Sequence, residues 1–209
     1  MKRVLALAPH TDDAELGCGG TIARLLEEGA SVYVAAFSSA RESIPPHLPP
    51  TTTRDEFFAS MQRLGVPAVN RRLYDYPVRR FTEHRQDLLE ELVRLRAEIQ
   101  PDTVFLPTAS DLHQDHHVIA TEGLRAFKER TVWGYELPWN HVTFAAQAFV
   151  TLESRHVEAK WRALSAYRSQ IDLGRPYFTP ELIQGLARVR GVQVKAEFAE
   201  AFEVTRVRL

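Results

Sequence analysis

Four times along the chain a short run that reads as a strand, apolar in all but the third case, is followed by a longer stretch of helical period. The runs are residues 3–8, 31–37, 71–74 and 103–106, and the stretches behind them are 17–29, 53–64, 84–99 and 115–128. Short apolar runs of this kind suit strands buried on both faces. The intervening stretches are too long for hairpins, so each strand is expected to return parallel to its predecessor through a right-handed crossover. The helical stretches carry their own evidence. Leu88, Leu92, Leu95 and Ile99 recur at spacings of four, three and four, and Pro101 ends that helix. Gly29 stops the first helix, and Gly65 with Pro67 stops the one that Thr53 opens.

Further strands are expected at 132–136 and 144–152, and an edge strand at 198–207 from its apolar–polar alternation. An amphipathic helix is expected over 154–170 through Val157, Trp161, Leu164 and Tyr167, and another over 180–190. Pro45, Pro46, Pro49 and Pro50 make 43–53 a long surface loop. No repeat, low-complexity tail or linker interrupts the pattern, so residues 1–209 read as one domain. The expected class is α/β: a Rossmann-like, mostly parallel, doubly wound sheet with helices on both faces.

Composition narrows the function. Twenty-six basic and 27 acidic residues give a net charge of −1. That balance supplies no electrostatic drive toward nucleic acid or an anionic membrane. No apolar run reaches the length of a membrane span. The N-terminal run ends at Pro9, with His10, Asp12 and Asp13 following at once, so it is not read as a signal peptide. One cysteine, Cys18, fits a reducing compartment, and a cytoplasmic location is expected. A homo-oligomer is compatible with these features.

Polar chemistry gathers where the first and fourth runs end. Pro9-His10-Thr11-Asp12-Asp13 follows the first strand, leading into Gly17, Gly19 and Gly20. In an open α/β sheet the carboxyl ends of the strands face the ligand crevice. His10 and Asp13 can converge on one cation, leaving Asp12 for proton transfer. A dinucleotide site fits less well, because Ile22 stands where that fingerprint needs glycine or alanine. Helix capping by the carboxylates is the plainer alternative.

Asp111-Leu112-His113-Gln114-Asp115-His116-His117 follows the strand 103–106 at the same edge. His113 and His116 lie three apart, on one face of the coming helical turn, so one can bind a cation while the other stays free. Asp115 can hold an imidazole in its tautomer from behind. His10, Asp13 and one of these histidines form two nitrogens and one oxygen with an open fourth position, the pattern of a catalytic zinc site. A solvated helix start is the plainer reading here.

The pair Pro9-His10-x-Asp12-Asp13-x-x-x-Gly17-x-Gly19-Gly20-Thr21 and His113-x-Asp115-His116 resembles the PIG-L/LmbE-type de-N-acetylases, which are zinc-dependent and remove acetyl groups from N-acetylglucosamine-containing substrates. The resemblance implies His10, Asp13 and His116 as zinc ligands and Asp12 as general base, then acid. It implies His113 as the group stabilising the carbonyl oxygen, and Asp115 as a supporting residue. Another divalent metal such as Fe2+ suits the same donors. Thr11 and Gln114 stand where that family usually has proline, and Ser169 and Gln170 resemble its late Ser-Gln pair.

Residues 41–85 hold eight arginines against five acids. Arg41 and Arg54, flanking the proline loop, are candidates for a phosphate on the substrate. Trp139 and Asn140 are candidates for stacking on a sugar ring and bonding its hydroxyls. The expected partner is a small amino-sugar substrate. An amidase acting on another small amide, and a ligand-binding domain without catalysis, are the competing readings.

Overall fold

A computed structural model describes residues 1–208. The elements run β1 (Arg3–His10), α1 (Asp13–Glu27), β2 (Ser31–Ser38), α2 (Thr52–Leu64), β3 (Arg71–Leu73), α3 (Arg85–Ile99), β4 (Thr103–Pro107), α4 (Gln114–Ala126), β5 (Thr131–Tyr135), β6 (Ala148–Leu152), α5 (Ser154–Leu164), α6 (Arg168–Asp172), α7 (Pro180–Gln193) and β7 (Phe198–Arg206). The seven strands form one sheet in the order β3-β2-β1-β4-β5-β7-β6. The first five are parallel, and β7 joins antiparallel to both β5 and β6.

The uninterrupted apolar runs have a direct use. In β1, Val4, Ala6 and Ala8 enter the core under α1, α2, α5 and α7, while Leu5 and Leu7 enter the opposite core under α3 and α4. In β2, Val32, Val34 and Ala36 share the first core, and Ala35 and Phe37 the second. No helix among the described residues is long and apolar enough to cross a membrane.

Three expectations are corrected. The strand 198–207 is interior, and β6 takes the edge. Glu200, on the same strand face as the core residues Phe198 and Phe202, is buried against α1. The helix expected over 154–170 breaks after Leu164 and resumes at Arg168. Tyr167, in the break, is fully buried and turns its hydroxyl toward the end of β1. The first helix starts at Asp13 rather than Gly17, with a kink at Cys18 (φ −145°).

Glu200 explains how that kink is tolerated. A kink frees backbone amides that a continuous helix would bond. The Gly20 and Thr21 amides donate to the Glu200 carboxylate at 3.0 and 2.6 Å, and Lys160 Nζ balances its charge at 2.7 Å. The glycines admit these neighbours. A Cβ on Gly17 would stand 2.3 Å from the Tyr135 ring, and one on Gly20 2.5 Å from Leu152.

We expect Gly17→Ala to cost about 1–3 kcal/mol, because the fully buried Tyr135 ring has nowhere to move. Gly185→Ala in α7, where a Cβ meets nothing within 4 Å, should stabilise by about 0.5–1 kcal/mol. Urea unfolding midpoints of the two variants, compared with the parent, check both signs.

Candidate metal centre

The topology explains why residues more than a hundred positions apart meet. Strands β1 and β4 are neighbours, but α1 leaves β1 toward one face and α4 leaves β4 toward the other. Where two crossovers part, the loops open into a crevice at the carboxyl edge. His10 ends β1, and His113 and His116 follow β4 into that crevice.

His10 Nδ1 lies 3.2 Å from Asp13 Oδ2, His116 Nε2 lies 3.3 Å from the same oxygen, and the two imidazole nitrogens are 3.3 Å apart. Tetrahedral bonds of about 2.0–2.1 Å place neighbouring ligand atoms about 3.3–3.4 Å apart, so this triangle fits the face of a tetrahedral cation site. His113 stands close by, and the three imidazoles can offer nitrogens within 4.8 Å of one another. The tighter triangle uses Asp13 in place of His113.

Each triangle imidazole is held from behind by a carboxylate. His10 Nε2 lies 3.0 Å from Asp115 Oδ2, and His116 Nδ1 lies 2.7 Å from Asp111 Oδ2. Those bonds place the proton on the far nitrogen and aim the near lone pair into the triangle. Asp115 also accepts from the Arg79 amide at 2.5 Å and the Phe81 amide at 3.2 Å, and it is fully buried. It thus holds the His10 imidazole from behind, outside the cavity. Sequence reasoning left Asp111 without a role. Its signal was an acidic residue five before His116, next to a strand end.

The carboxylates and burial shift the four groups in different directions. Burial works against a charged His10, but the bonds to Asp115 and Asp13 prevail and raise it to about 9. Burial opposes His116 likewise, and the charge of Asp13 and the Asp111 bond lift it to about 10. Burial alone would raise Asp13, yet His116 and His10 hold it far below the usual carboxylate range. Asp12 behaves oppositely: burial and the adjacent Asp13 charge push it up to about 7. Its carboxylate makes no hydrogen bond among the described residues and lines the cavity.

His113 is the N-cap of α4, outside the helical turn on which His116 sits, and its Nδ1 accepts from the Asp115 amide at 3.2 Å. That bond leaves the proton on Nε2. Burial, then the charges of His116 and His10, push His113 down to about 4, so it is a neutral donor. Gln114 occupies the first helical position, where proline is also favoured.

The cavity over the triangle has a volume of about 200 Å³. Trp139 and Asn140 line it, as do Gln170, Arg175 and Tyr177, which sequence reasoning missed or, for Gln170, noticed only as part of a motif. Trp139 and Tyr177 stack with ring centroids 4.2 Å apart. Asn140 Nδ2 reaches Asp111 Oδ2 at 3.4 Å. Arg41 and Arg54 are elsewhere: they line a neighbouring cavity, with Arg41 paired to Asp75 at 3.0 Å.

Beneath the turn lies a buried acid that sequence reasoning also missed. Tyr167 Oη contacts both the Thr11 carbonyl and, at 2.7 Å, Glu15 Oε1, while Ser60 Oγ meets that same oxygen at 2.5 Å. The carbonyl can only accept, so the single tyrosine proton goes to Thr11. The contact with Glu15 is then satisfied when Glu15 is protonated and donates. Burial is the largest influence on Glu15 and pushes it up to about 8, the direction that a protonated carboxyl requires.

We expect purified His116→Ala to lose its bound metal, and Asp111→Asn to bind metal about 10–100-fold more weakly, read by metal analysis and chelator competition. The raised Glu15 pKa means that the unfolded chain ionises from about pH 4.5 while the folded chain keeps its proton to about pH 8. Wild-type stability is therefore lost progressively as pH rises through that window. Glu15→Gln has no such proton, so its melting temperature should gain on wild type from pH 4.5 to 8. A difference flat with pH would contradict the assignment.

Residues 5–127 match the family described as PIG-L: GlcNAc-PI de-N-acetylase. The chain is 25% identical over 175 residues to "Uncharacterized deacetylase YaiS" of Escherichia coli K12, covering 80% of this chain and 91% of that protein. The conserved protein TT1542 of Thermus thermophilus superposes with a TM-score of 0.81 at 27% identity, covering 100% of this chain and 97% of that one. The N,N'-diacetylchitobiose deacetylase of Pyrococcus horikoshii shares the fold with a TM-score of 0.76 at 22% identity, over 98% and 84% of the chains. The chain belongs to the PIG-L family of de-N-acetylases.

Proposed function

We propose that this protein is a zinc-dependent hydrolase that removes the acetyl group from an N-acetylhexosamine or its conjugate, releasing acetate and a free amine. The observation carrying this reading is the triangle of His10, Asp13 and His116 with ligand atoms 3.2–3.3 Å apart and Asp12 unbonded beside it. Two nitrogens and one oxygen at tetrahedral spacing suit zinc, and Fe2+ accepts the same donors. A divalent cation held there supplies Lewis acidity to a water molecule and to the acetamide carbonyl.

The chain's own groups account for the proton movements. Asp12 is close to neutral in its titration and free of bonds, so it can take the proton of the attacking water. It then returns that proton to the amide nitrogen, which would otherwise be a very poor leaving group. His113 is neutral with its proton on Nε2, so it can donate to the carbonyl oxygen as negative charge builds there. Asp115 and Asp111 keep His10 and His116 oriented through this cycle. The exposed Trp139 face and Asn140 at the cavity wall suit a sugar ring and its hydroxyls. The continuous sheet supports residues 1–209 as one working domain.

Acetate release from a panel of N-acetylhexosamines and simple acetamides, with and without chelator, tests the reading. Activity on the sugars, lost on chelation and regained with Zn2+, is expected. Asp12→Asn should keep its metal and lose at least about a hundredfold in kcat. Wild-type turnover in that variant would remove Asp12 from the mechanism, and preference for non-sugar amides would replace the substrate class.

A further inference from the structure

The cavity holding Arg41 and Arg54 has about 390 Å³ of space, larger than the one over the metal-ligand triangle. The two cavities share a partition. Ser39 lines one and Ala40 the other; Thr51 and Thr53 divide in the same way. The partition is built rather than incidental. Ala40 adopts left-handed backbone angles (φ 51°), which a non-glycine residue keeps only when its surroundings enforce them. Here the Ser38 hydroxyl accepts from the Ala40 amide at 3.0 Å, and the buried Thr53 hydroxyl donates to the Ser39 carbonyl.

The lining of the second cavity is selective. Phe58, Leu73 and Tyr74 give it apolar walls, and Arg54 lies over the Phe58 ring at 6.0 Å. Asp75 is its one acid, already bonded by the Ser39 hydroxyl and by Arg41. Arg54 makes no ion pair among the described residues. Asp75 feels the Arg54 charge without pairing to it, so the guanidinium keeps its N–H donors for a ligand, and its planar fork can bond two oxygens of a tetrahedral phosphate at once.

Resting on the deacetylase reading above, we infer that this cavity is a subsite for the part of the substrate beyond the amino sugar, and that this part carries a phosphate on a flat, apolar frame. The sugar occupies the cavity over the metal ligands, its linkage crosses the partition at Ser39–Ala40, and Arg54 meets the phosphate. A bare sugar leaves the larger cavity empty, so the phosphorylated conjugate is the better substrate.

Three probes separate the contributions: UDP-N-acetylglucosamine with phosphate and ring, N-acetylglucosamine 1-phosphate with phosphate alone, and methyl N-acetylglucosaminide with neither. We expect kcat/KM to fall in that order, with the first about tenfold or more above the last, the scale of one charge-assisted hydrogen bond. Arg54→Ala should cut that ratio about tenfold through KM, and Arg54→Lys should restore part of it. Equal kcat/KM on all three, or a ratio unmoved by Arg54→Ala, overturns the subsite. A binding arm keeps this separate from the chemistry: UDP alone is titrated calorimetrically into wild type and Arg54→Ala. Arg54-dependent UDP binding without acetate release from any probe would sustain the subsite while defeating the deacetylase reading. Acetate release without Arg54-dependent binding would do the reverse.

Discussion

The structure depends on burying Asp13 as an anion. A carboxylate removed from water is costly unless positive charge meets it closely. His10 and His116 do so at 3.2 and 3.3 Å, and each is in turn paired with a second buried carboxylate, Asp115 or Asp111. Three carboxylates around two imidazoles are short of positive charge. The carboxylates accordingly raise both imidazoles, and a divalent cation of the kind proposed above would meet the same shortage. The same field separates the two neighbouring aspartates. Asp13 faces the imidazoles and stays ionised, whereas Asp12 faces the cavity and titrates near neutrality. Sequence neighbours thereby gain different chemical roles from opposite surroundings.

Holding these groups in place requires a stiff support. The Thr11 carbonyl is fixed by Tyr167, which rests on Glu15. The α1 backbone is pressed against Tyr135, Lys160 and Leu152 at its glycines. Glu200 takes the amides freed at the kink. These contacts come from α5, β5, β6 and β7 and from the break after α5, all distant in sequence from the two motifs. The chain beyond α4 therefore supports the two motifs without contributing a corner of the triangle.

The neighbouring cavity follows from the same edge of the sheet. The chain leaving β2 and the start of α2 form a wall beside the cavity over His10, Asp13 and His116, and the left-handed Ala40 fixes its course. Arginines flanking the proline loop consequently face a space of their own. Their number was visible in the sequence, but their separation from Asp12 and His113 was not.

By itself the sequence determined the strands buried on both faces, the parallel crossovers and the two polar clusters, because these are local patterns of period and spacing. Val4 to Ala8 needs no partner to be recognised as an inner strand, and His10, Asp13, His113 and His116 are conspicuous wherever they stand. Only the tertiary structure decided which polar residues are buried. Glu200 is a charged residue between Phe198 and Phe202 on one strand face, and only α1 and Lys160 supply the partners that let it be buried there. Tyr167 looks like the next turn of a helix until the chain breaks to bring its hydroxyl to Thr11. Asp115 can be read as holding an imidazole, but which one it holds, and that Asp111 does the same for His116, is decided only when the chain is folded. The cost of burying a polar group depends on partners supplied by other segments, and that information does not exist in any short stretch of sequence.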